Sequence, residues 1–290
     1  MKIVSFYAQG DLRLGVETED GVVDVQSAAD AAGMPAPSTA RELIAGGAAA
    51  LAQLHSVLVS APGTLDPQQL RFGPPVPDPD KVICVGANYR KHSEEAGLPV
   101  PEQPIYFAKY RNSLVGHGAD VAIPRVTEKV DYEVELVVVM GRPAYQVSVE
   151  EALDHVFGYA TGNDLSAREL QMRASQWMYG KAIDGFAPLG PAIVTADEVP
   201  DPQDLSLKLW VNGEVRQDST TKDMVFSVAE LVSDLSQIMT LQPGDLIYTG
   251  TPEGVILGRE DKNWLKSGDE VTCEVGAFGR LTTNLVSPQN

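Results

Sequence analysis

The stretch Asp131-Tyr132-Glu133-Val134-Glu135-Leu136-Val137-Val138-Val139-Met140 is where the reading of this 290-residue sequence begins. On a strand, successive side chains point to opposite faces, so Glu133 and Glu135 share one face while Tyr132, Val134 and Leu136 share the other. Val137–Met140 is apolar on both faces, as in a strand that runs into a protein interior. Two carboxylates side by side at the mouth of such a strand repel each other and resist desolvation. A bound cation removes both difficulties. The alternative is a pair of glutamates on a solvated sheet edge.

A third carboxylate follows in Gly158-Tyr159-Ala160-Thr161-Gly162-Asn163-Asp164-Leu165-Ser166-Ala167-Arg168, which reads as a short strand, an Asn-Asp turn and the start of a helix through Gln171. Asp164 is either a metal ligand or a helix N-cap. Glu133, Glu135 and Asp164, with no His or Cys nearby, favour a hard cation such as Mg²⁺ or Mn²⁺.

Upstream, Asn88-Tyr89-Arg90-Lys91-His92-Ser93-Glu94-Glu95-Ala96-Gly97 follows a buried strand over Lys81–Gly86. If Tyr89–Glu95 is helical, His92 and Glu95 stand at i and i+3 and touch. A carboxylate beside an imidazole orients the ring and raises its basicity, as a general base for water requires. The alternative is an inert surface histidine, and His55, His117 and His155 are read that way, as structural or exposed.

Downstream, Gln176–Pro191 alternates Gly and Pro with aromatics, a loop of fixed shape in which Lys181 either stabilises an oxyanion or pairs with Asp184. Thr249-Gly250-Thr251-Pro252-Glu253-Gly254-Val255 lacks the Gly-Lys-Ser/Thr ending of a phosphate loop, which argues against nucleotide binding.

Further outward, Met1–Tyr7, Leu12–Glu17 and Gly21–Val25 read as strands, with Glu19-Asp20-Gly21 as a turn, and Thr39–His55 as a helix. They form a small N-terminal α+β domain over 1–72. Four prolines between Pro74 and Pro79 mark a linker over 73–80. The catalytic domain spans 81–290. In it, Ser148 and Glu151 form a capping box for a helix that includes His155 and buries Ala152, Leu153, Val156 and Phe157. Ser227 and Glu230 cap another, with Val228, Leu231, Val232, Leu235 and Ile238 as its stripe. Asn212-Gly213 turns a hairpin between Leu205–Val211 and Val215–Asp218. Leu241–Asp245 and Leu265–Glu270 each feed a further strand. Many strands without βαβ alternation predict an α+β, mainly β fold with a rolled or distorted barrel-like sheet.

Bulk properties narrow the function. Hydrophobic residues make up 43% and charged residues 21%, ordinary for a chain that buries a sizeable core. No apolar run approaches the roughly 18 residues that span a bilayer, and Met1–Tyr7 does not read as a signal peptide, so the cytoplasm is the expected location. Cys84 and Cys273 read as buried thiols. A net charge of −18 argues against nucleic acid and anionic membranes as partners. It also repels a small anionic substrate, which therefore needs a local positive centre, and a bound cation supplies one.

Four of these segments, in this order, resemble the fumarylacetoacetate hydrolase family: Glu133-Val134-Glu135, Gly162–Arg168, Gly180–Pro191 and Pro243–Pro252. The resemblance runs from Lys81 to Val286, and the preceding small domain is similar to that of bacterial-type members. It implies a rolled β-barrel catalytic domain in a homodimer. It also implies Mg²⁺ or Mn²⁺ on Glu133, Glu135 and Asp164, a water-activating pair His92 and Glu95 on a lid segment, and Lys109, Arg168, Gln171, Lys181 and Thr251 around substrate oxygens. The fourth carboxylate of fumarylacetoacetase has no match here, so the acylpyruvase-like arrangement is the closer model.

The expected reaction is hydrolytic cleavage of a carbon–carbon bond in a small 2,4-dioxo acid, with the cation chelating the 2-oxo acid. His92, steadied by Glu95, activates the water, and Lys181 stabilises the oxyanion. The same site suits an oxaloacetate-type decarboxylase or keto–enol tautomerase, and fold alone does not choose between them. A non-catalytic metal-binding protein is the outside alternative. The side-chain pocket is expected from loops around Leu98–Pro104 and Val255–Arg259.

Overall fold

In a computed structural model that describes residues 1–95, 97 and 99–288, the 131–140 stretch forms two strands separated by Tyr132 and Glu133. The chain opens with β1 (Lys2–Ala8), β2 (Asp11–Thr18), β3 (Gly21–Asp24), α1 (Val25–Ala32), α2 (Ala40–Leu58) and β4 (Arg71–Gly73). Next come β5 (Val82–Gly86), α3 (Arg90–Glu95), β6 (Ile105–Lys109), β7 (Leu114–Val115), β8 (Ala119–Ala122), β9 (Val130–Asp131) and β10 (Val134–Met140). The centre of the chain holds β11 (Val156–Asn163), β12 (Ser166–Ala167), α4 (Arg168–Gln171), α5 (Met178–Lys181) and β13 (Ala187–Thr195). It ends with β14 (Ser206–Val211), β15 (Glu214–Thr220), α6 (Val228–Ile238), β16 (Leu246–Tyr248), β17 (Glu270–Val275) and β18 (Arg280–Val286).

One mixed sheet runs β3-β2-β1-β13-β11-β10-β16-β5-β6, with β4 on β1 and β7 on β13. A second runs β15-β14-β17-β18-β8, and β9 pairs with β12. The architecture is α+β, mainly strand, with distorted, rolled sheets whose described strand orders do not close on themselves.

Strand β10 sits at the centre and is buried along its whole length. Leu136, Val138 and Met140 pack with Leu207, Leu209, Val271 and Leu281 of the second sheet and with Leu231 and Leu235 of α6. Val137 and Val139 face the other way, into a core shared with Leu43, Ile44 and Leu54 of α2. The large sheet is thus the middle of three layers, which is why β10 reads as a continuous apolar run. Glu133 and Glu135 fall on the Val137–Val139 side, where the apolar core gives way to the site.

The stretch breaks after Asp131 because its two halves have different partners, β12 for β9 and β11 for β10. Glu133 donates its N–H to the Asn163 side-chain oxygen at 3.0 Å instead of to a strand. Gly73 already lies in β4, and Val76, within the proline-rich stretch, is buried in the α2-side core. Strand β1 pairs with β13, so sheet and core both continue across residues 73–80.

Local signals set several ends. Thr39 accepts from the Glu42 N–H to start α2, and Ser227 with Glu230 forms a reciprocal capping box on α6. Asn212 and Gly213 have φ of 51° and 80°, the pair of positive values a two-residue hairpin turn requires. Cys84 and Cys273 are free and buried.

Two expectations are corrected. Ser148 and Glu151 do cap each other, but only a single 3₁₀ turn, Ala152–His155, comes after them. Val156 and Phe157 open β11, whose pairing with both β10 and β13 outweighs the local helix signal, and Leu153 is exposed. Ile238, at the end of α6, is 75% exposed and lies off the buried stripe.

Candidate metal centre and catalytic cleft

Ligand atoms of Glu133, Glu135 and Asp164 lie within 4.8 Å of one another, and all three residues are buried. The register of β10 on β11 sets Val134 opposite Asn163, which brings Asp164 beside Glu133. The Asp164 N–H donates to the Glu133 carbonyl at 2.9 Å. Asp164 is not a helix cap, since α4 starts after Ala167. That leaves its carboxylate for the site.

Three cations hold two of these carboxylates, Glu133 and Asp164, in place of the solvent they have lost. Lys181 donates to Glu133 and to Asp164, each at 2.7 Å. Arg168 donates from Nη2 to Glu133 at 2.6 Å and from Nε to Asp131 at 2.8 Å. Lys109 lies 2.5 Å from Asp164 Oδ1 and also donates to the carbonyls of Leu165 and Phe186. Lys181 is not paired with Asp184, which instead accepts from Asn112 at 2.6 Å.

Glycines make this geometry possible at two points. A Cβ at Gly180 would land on Ala167 O and Gln171 N, so only glycine lets α5 approach α4 closely enough to deliver Lys181. Gly250, at φ 99°, donates its N–H to Glu135 at 2.8 Å, and a Cβ there would sit 2.8 Å from that of Asn88.

The electrostatics fit a cation. Burial raises the Glu133 pKa, but Lys181 and Arg168 outweigh it and hold the carboxyl below its usual range. Glu135 has no cation in direct contact. Burial and the neighbouring Asp164 and Glu133 charges push its pKa well above 4.5. Counting Asp131, four carboxylates face three cations, an excess of one negative charge. A divalent ion would turn that into one positive charge in excess, the local centre that an anionic substrate needs against a −18 protein. Oxygen-only donors, one of them short of a counter-charge, suit a hard divalent cation.

Above the carboxylates lies a cleft of about 90 Å³, lined by His92, Phe107, Arg168, Gln171, Trp177 and Thr251 among others. Glu133, Glu135 and Lys181 reach it, whereas Lys109 does not line it and stands behind Asp164. His92 Nδ1 is 3.9 Å from Glu95 Oε2, and Glu95 also accepts the Gly254 N–H at 3.0 Å. Burial raises the Glu95 pKa, and His92 and the Gly254 amide together outweigh it and lower it. Thr251 Oγ1 accepts from Gln217 Nε2 at 2.9 Å. Of the loops expected to shape the pocket, Leu257 and Gly258 line the cleft, while Leu98 lies outside the described residues.

Three contributors carry no functional signal in the sequence pattern. Asp131 opens the quoted strand and looks like no more than its first residue. Trp177 stands in the quoted Gly-Pro loop, and Gln217 sits on β15, where no local pattern marks it. Gln217 accepts the Val134 N–H at 3.0 Å and so ties β10 to the Thr251 loop.

The model of the fumarylacetoacetate (FAA) hydrolase C-terminal family matches residues 81–286. Oxaloacetate tautomerase FAHD2A of Bos taurus, whose name places it in mitochondria, is 40% identical over 292 residues, covering 99% of this chain and 92% of that protein. The solved fumarylacetoacetate hydrolase of Exiguobacterium antarcticum is 35% identical, with a TM-score of 0.86 over 99% of this chain and all of that one. The maleylpyruvate hydrolase of Sphingobium sp. SYK-6, solved with manganese(II) and pyruvate, is 32% identical, with a TM-score of 0.82 over the full length of both chains. Among the described residues, no helix is long and apolar enough to cross a membrane.

Proposed function

This chain belongs to the fumarylacetoacetate hydrolase family, and on that premise we propose that it is a divalent-cation-dependent keto–enol tautomerase of oxaloacetate or a closely related small 2-oxo acid. The observation that carries this reading is the end-to-end similarity to oxaloacetate tautomerases, which includes the N-terminal layer as well as the catalytic part.

Glu133, Glu135 and Asp164 hold Mg²⁺ or Mn²⁺. When bound, the ion supplies a Lewis-acid centre that acidifies the carbon next to a 2-oxo group. Arg168 and Gln171, joined at 3.0 Å, orient the substrate carboxylate from the cleft wall. In the enol-forming direction His92, steadied by Glu95, takes the proton from carbon 3 while the 2-oxygen takes one from solvent water. In the reverse direction His92 returns a proton to carbon 3 while the oxygen gives its own back to water. Lys181 stays protonated, because Asp164 and Glu133 outweigh its burial, and stabilises the oxygen on which negative charge develops. Thr251 offers a hydroxyl to the distal end. Lys109 acts through Asp164.

A second reading, hydrolysis of a carbon–carbon bond in an acylpyruvate-like acid, is favoured by the proximity of His92 to Glu95 and by the similar maleylpyruvate hydrolase. The test is direct. Metal-stripped and Mg²⁺- or Mn²⁺-loaded protein is given oxaloacetate and, separately, acetylpyruvate, while enol absorbance is followed and products are identified. Metal-dependent acceleration of enol–keto conversion, with oxaloacetate conserved and the effect lost in His92→Ala, supports the tautomerase. Release of acetate and pyruvate favours the hydrolase, and carbon dioxide release favours a decarboxylase. A protein that binds neither ion overturns all three.

Assembly as a homodimer and a cytoplasmic location complete the proposal. Analytical ultracentrifugation and fractionation of the source cell test them.

A further inference from the structure

Asp131 has no role in the proposed reaction, yet it is fully buried and its carboxylate is saturated. Oδ1 accepts the N–H of Tyr132 at 2.9 Å and of Ile256 at 2.8 Å. Oδ2 accepts the N–H of Leu257 at 3.0 Å and Nε of Arg168 at 2.8 Å. One carboxylate therefore grips two separate things. One is the guanidinium that reaches on to Glu133. The other is the loop whose Leu257 and Gly258 line the cleft and whose Gly254 N–H donates to Glu95 of α3. Tyr132, the next residue, holds the same loop from its hydroxyl, which donates to the Gly254 carbonyl at 3.0 Å. Charge-assisted bonds of this kind are short and directional, and a buried carboxylate stripped of them is costly, so the arrangement moves as a unit.

We infer that Asp131 is a positioning residue that couples the metal ligands to the seat of α3: the Glu133–Arg168–Asp131–Leu257 chain transmits the occupancy of the cation site to the loop on which Glu95 docks. A cation at Glu133 competes with Arg168 for that carboxylate. The guanidinium is then left with Asp131 as its carboxylate partner, whose other bonds fix the loop. This rests on the proposed binding of a cation, but not on which reaction the site performs.

The experiment is amide hydrogen exchange on the full chain, with and without Mn²⁺ alone, in wild type, Asp131→Asn and Arg168→Lys. Asparagine keeps the shape but turns an amide toward Arg168 or toward Leu257 N–H. Lysine keeps the charge but lacks the planar fork by which Nε and Nη2 reach Asp131 and Glu133 from separate nitrogens, and it reports on the same bridge should the asparagine variant not fold. The expected result is Mn²⁺-induced slowing at residues 90–95 and 254–258 in wild type, by about tenfold, and its loss in either variant. The double variant should add little to either single change, as for members of one network. Mn²⁺ slowing retained in both single variants overturns the inference, as does faster exchange spread evenly over the chain. Mn²⁺ binding without any slowing of these segments in wild type overturns the coupling alone. No Mn²⁺ binding overturns it together with the cation reading.

Discussion

At the scale of single residues, the centre is a set of buried charges whose members are costly alone. Lys181 shows this best, since it touches both Glu133 and Asp164. Lys181→Met should lower the stability of the metal-free protein by about 3–5 kcal/mol, because two buried carboxylates each lose one of their two cations. It should also enlarge the gain in Tm on adding Mn²⁺, which then has less competition for those oxygens, while turnover is lost. Calorimetry with and without the ion checks both, and an unchanged Mn²⁺ response would show that Lys181 does not compete for the ligands. His117 carries a second prediction. Burial lowers its pKa below 6.5, only partly offset by Glu17, and its Nδ1 accepts the Thr282 N–H at 3.0 Å. The unfolded chain therefore takes up this proton more readily than the folded one. The stabilising contribution is present above about pH 6.5 and is lost as pH falls through the lower folded value. In His117→Gln the acid limb of the stability–pH curve should be shallower across that window, measured by urea unfolding at pH 5 to 7.5.

Two charged pairs, Glu133 with Glu135 and His92 with Glu95, were legible because their spacing carried physical meaning, whereas Lys109 and Arg168 came only from the family resemblance. Glu133 and Glu135 are two apart on an extended stretch, just before β10 and within it, and His92 and Glu95 are three apart on a helix. Asp131 and Gln217 were not legible, because their roles come from partners far along the chain, at Ile256–Leu257 and Thr251.

At the scale of elements, two similar caps have different fates. Ser227–Glu230 opens an eleven-residue helix, whereas Ser148–Glu151 opens one 3₁₀ turn before β11 takes over. The capping signal reports only how a turn begins. Whether the turn grows into a helix depends on which sheet or core the next residues join, and Val156 and Phe157 are claimed by β10 and β13. Ser227→Ala should cost about 1 kcal/mol, and Ser148→Ala clearly less. Paired thermal melts check this, and equal losses would mean that the short turn is as important to stability as α6. The break of the 131–140 run after Asp131 has a similar origin. The alternation was right, but a strand's length depends on its partners, and β12 and β11 divide the stretch between them.

At the scale of the whole molecule, proline content located the 73–80 stretch, but it carried no information on packing across it. The N-terminal helices form one outer layer of the large sheet, and Leu43, Ile44 and Leu54 share a core with Val137, Val139, Phe157 and Ile193. A fragment of residues 81–290 would leave that face of the sheet bare, and an exposed apolar face of this kind promotes aggregation. Expressed alone, the fragment should be insoluble or bind hydrophobic dyes, and co-expression with residues 1–72 should restore soluble protein. A soluble, cooperatively unfolding fragment that binds no dye would contradict this.

The near balance of buried charge at the centre has a consequence for the protein's supply of metal. Lys109, Arg168 and Lys181 already offset all but one of the four carboxylate charges, so little repulsion is left unrelieved before any ion arrives. Folding need not wait for metal, unlike that of a zinc finger, so on the proposed function an ion would be taken up by a finished protein and could leave it again. Which ion a molecule carries would then track the free concentrations around it at a given moment. A purified sample should exchange Mg²⁺ for Mn²⁺ by dialysis alone, without unfolding.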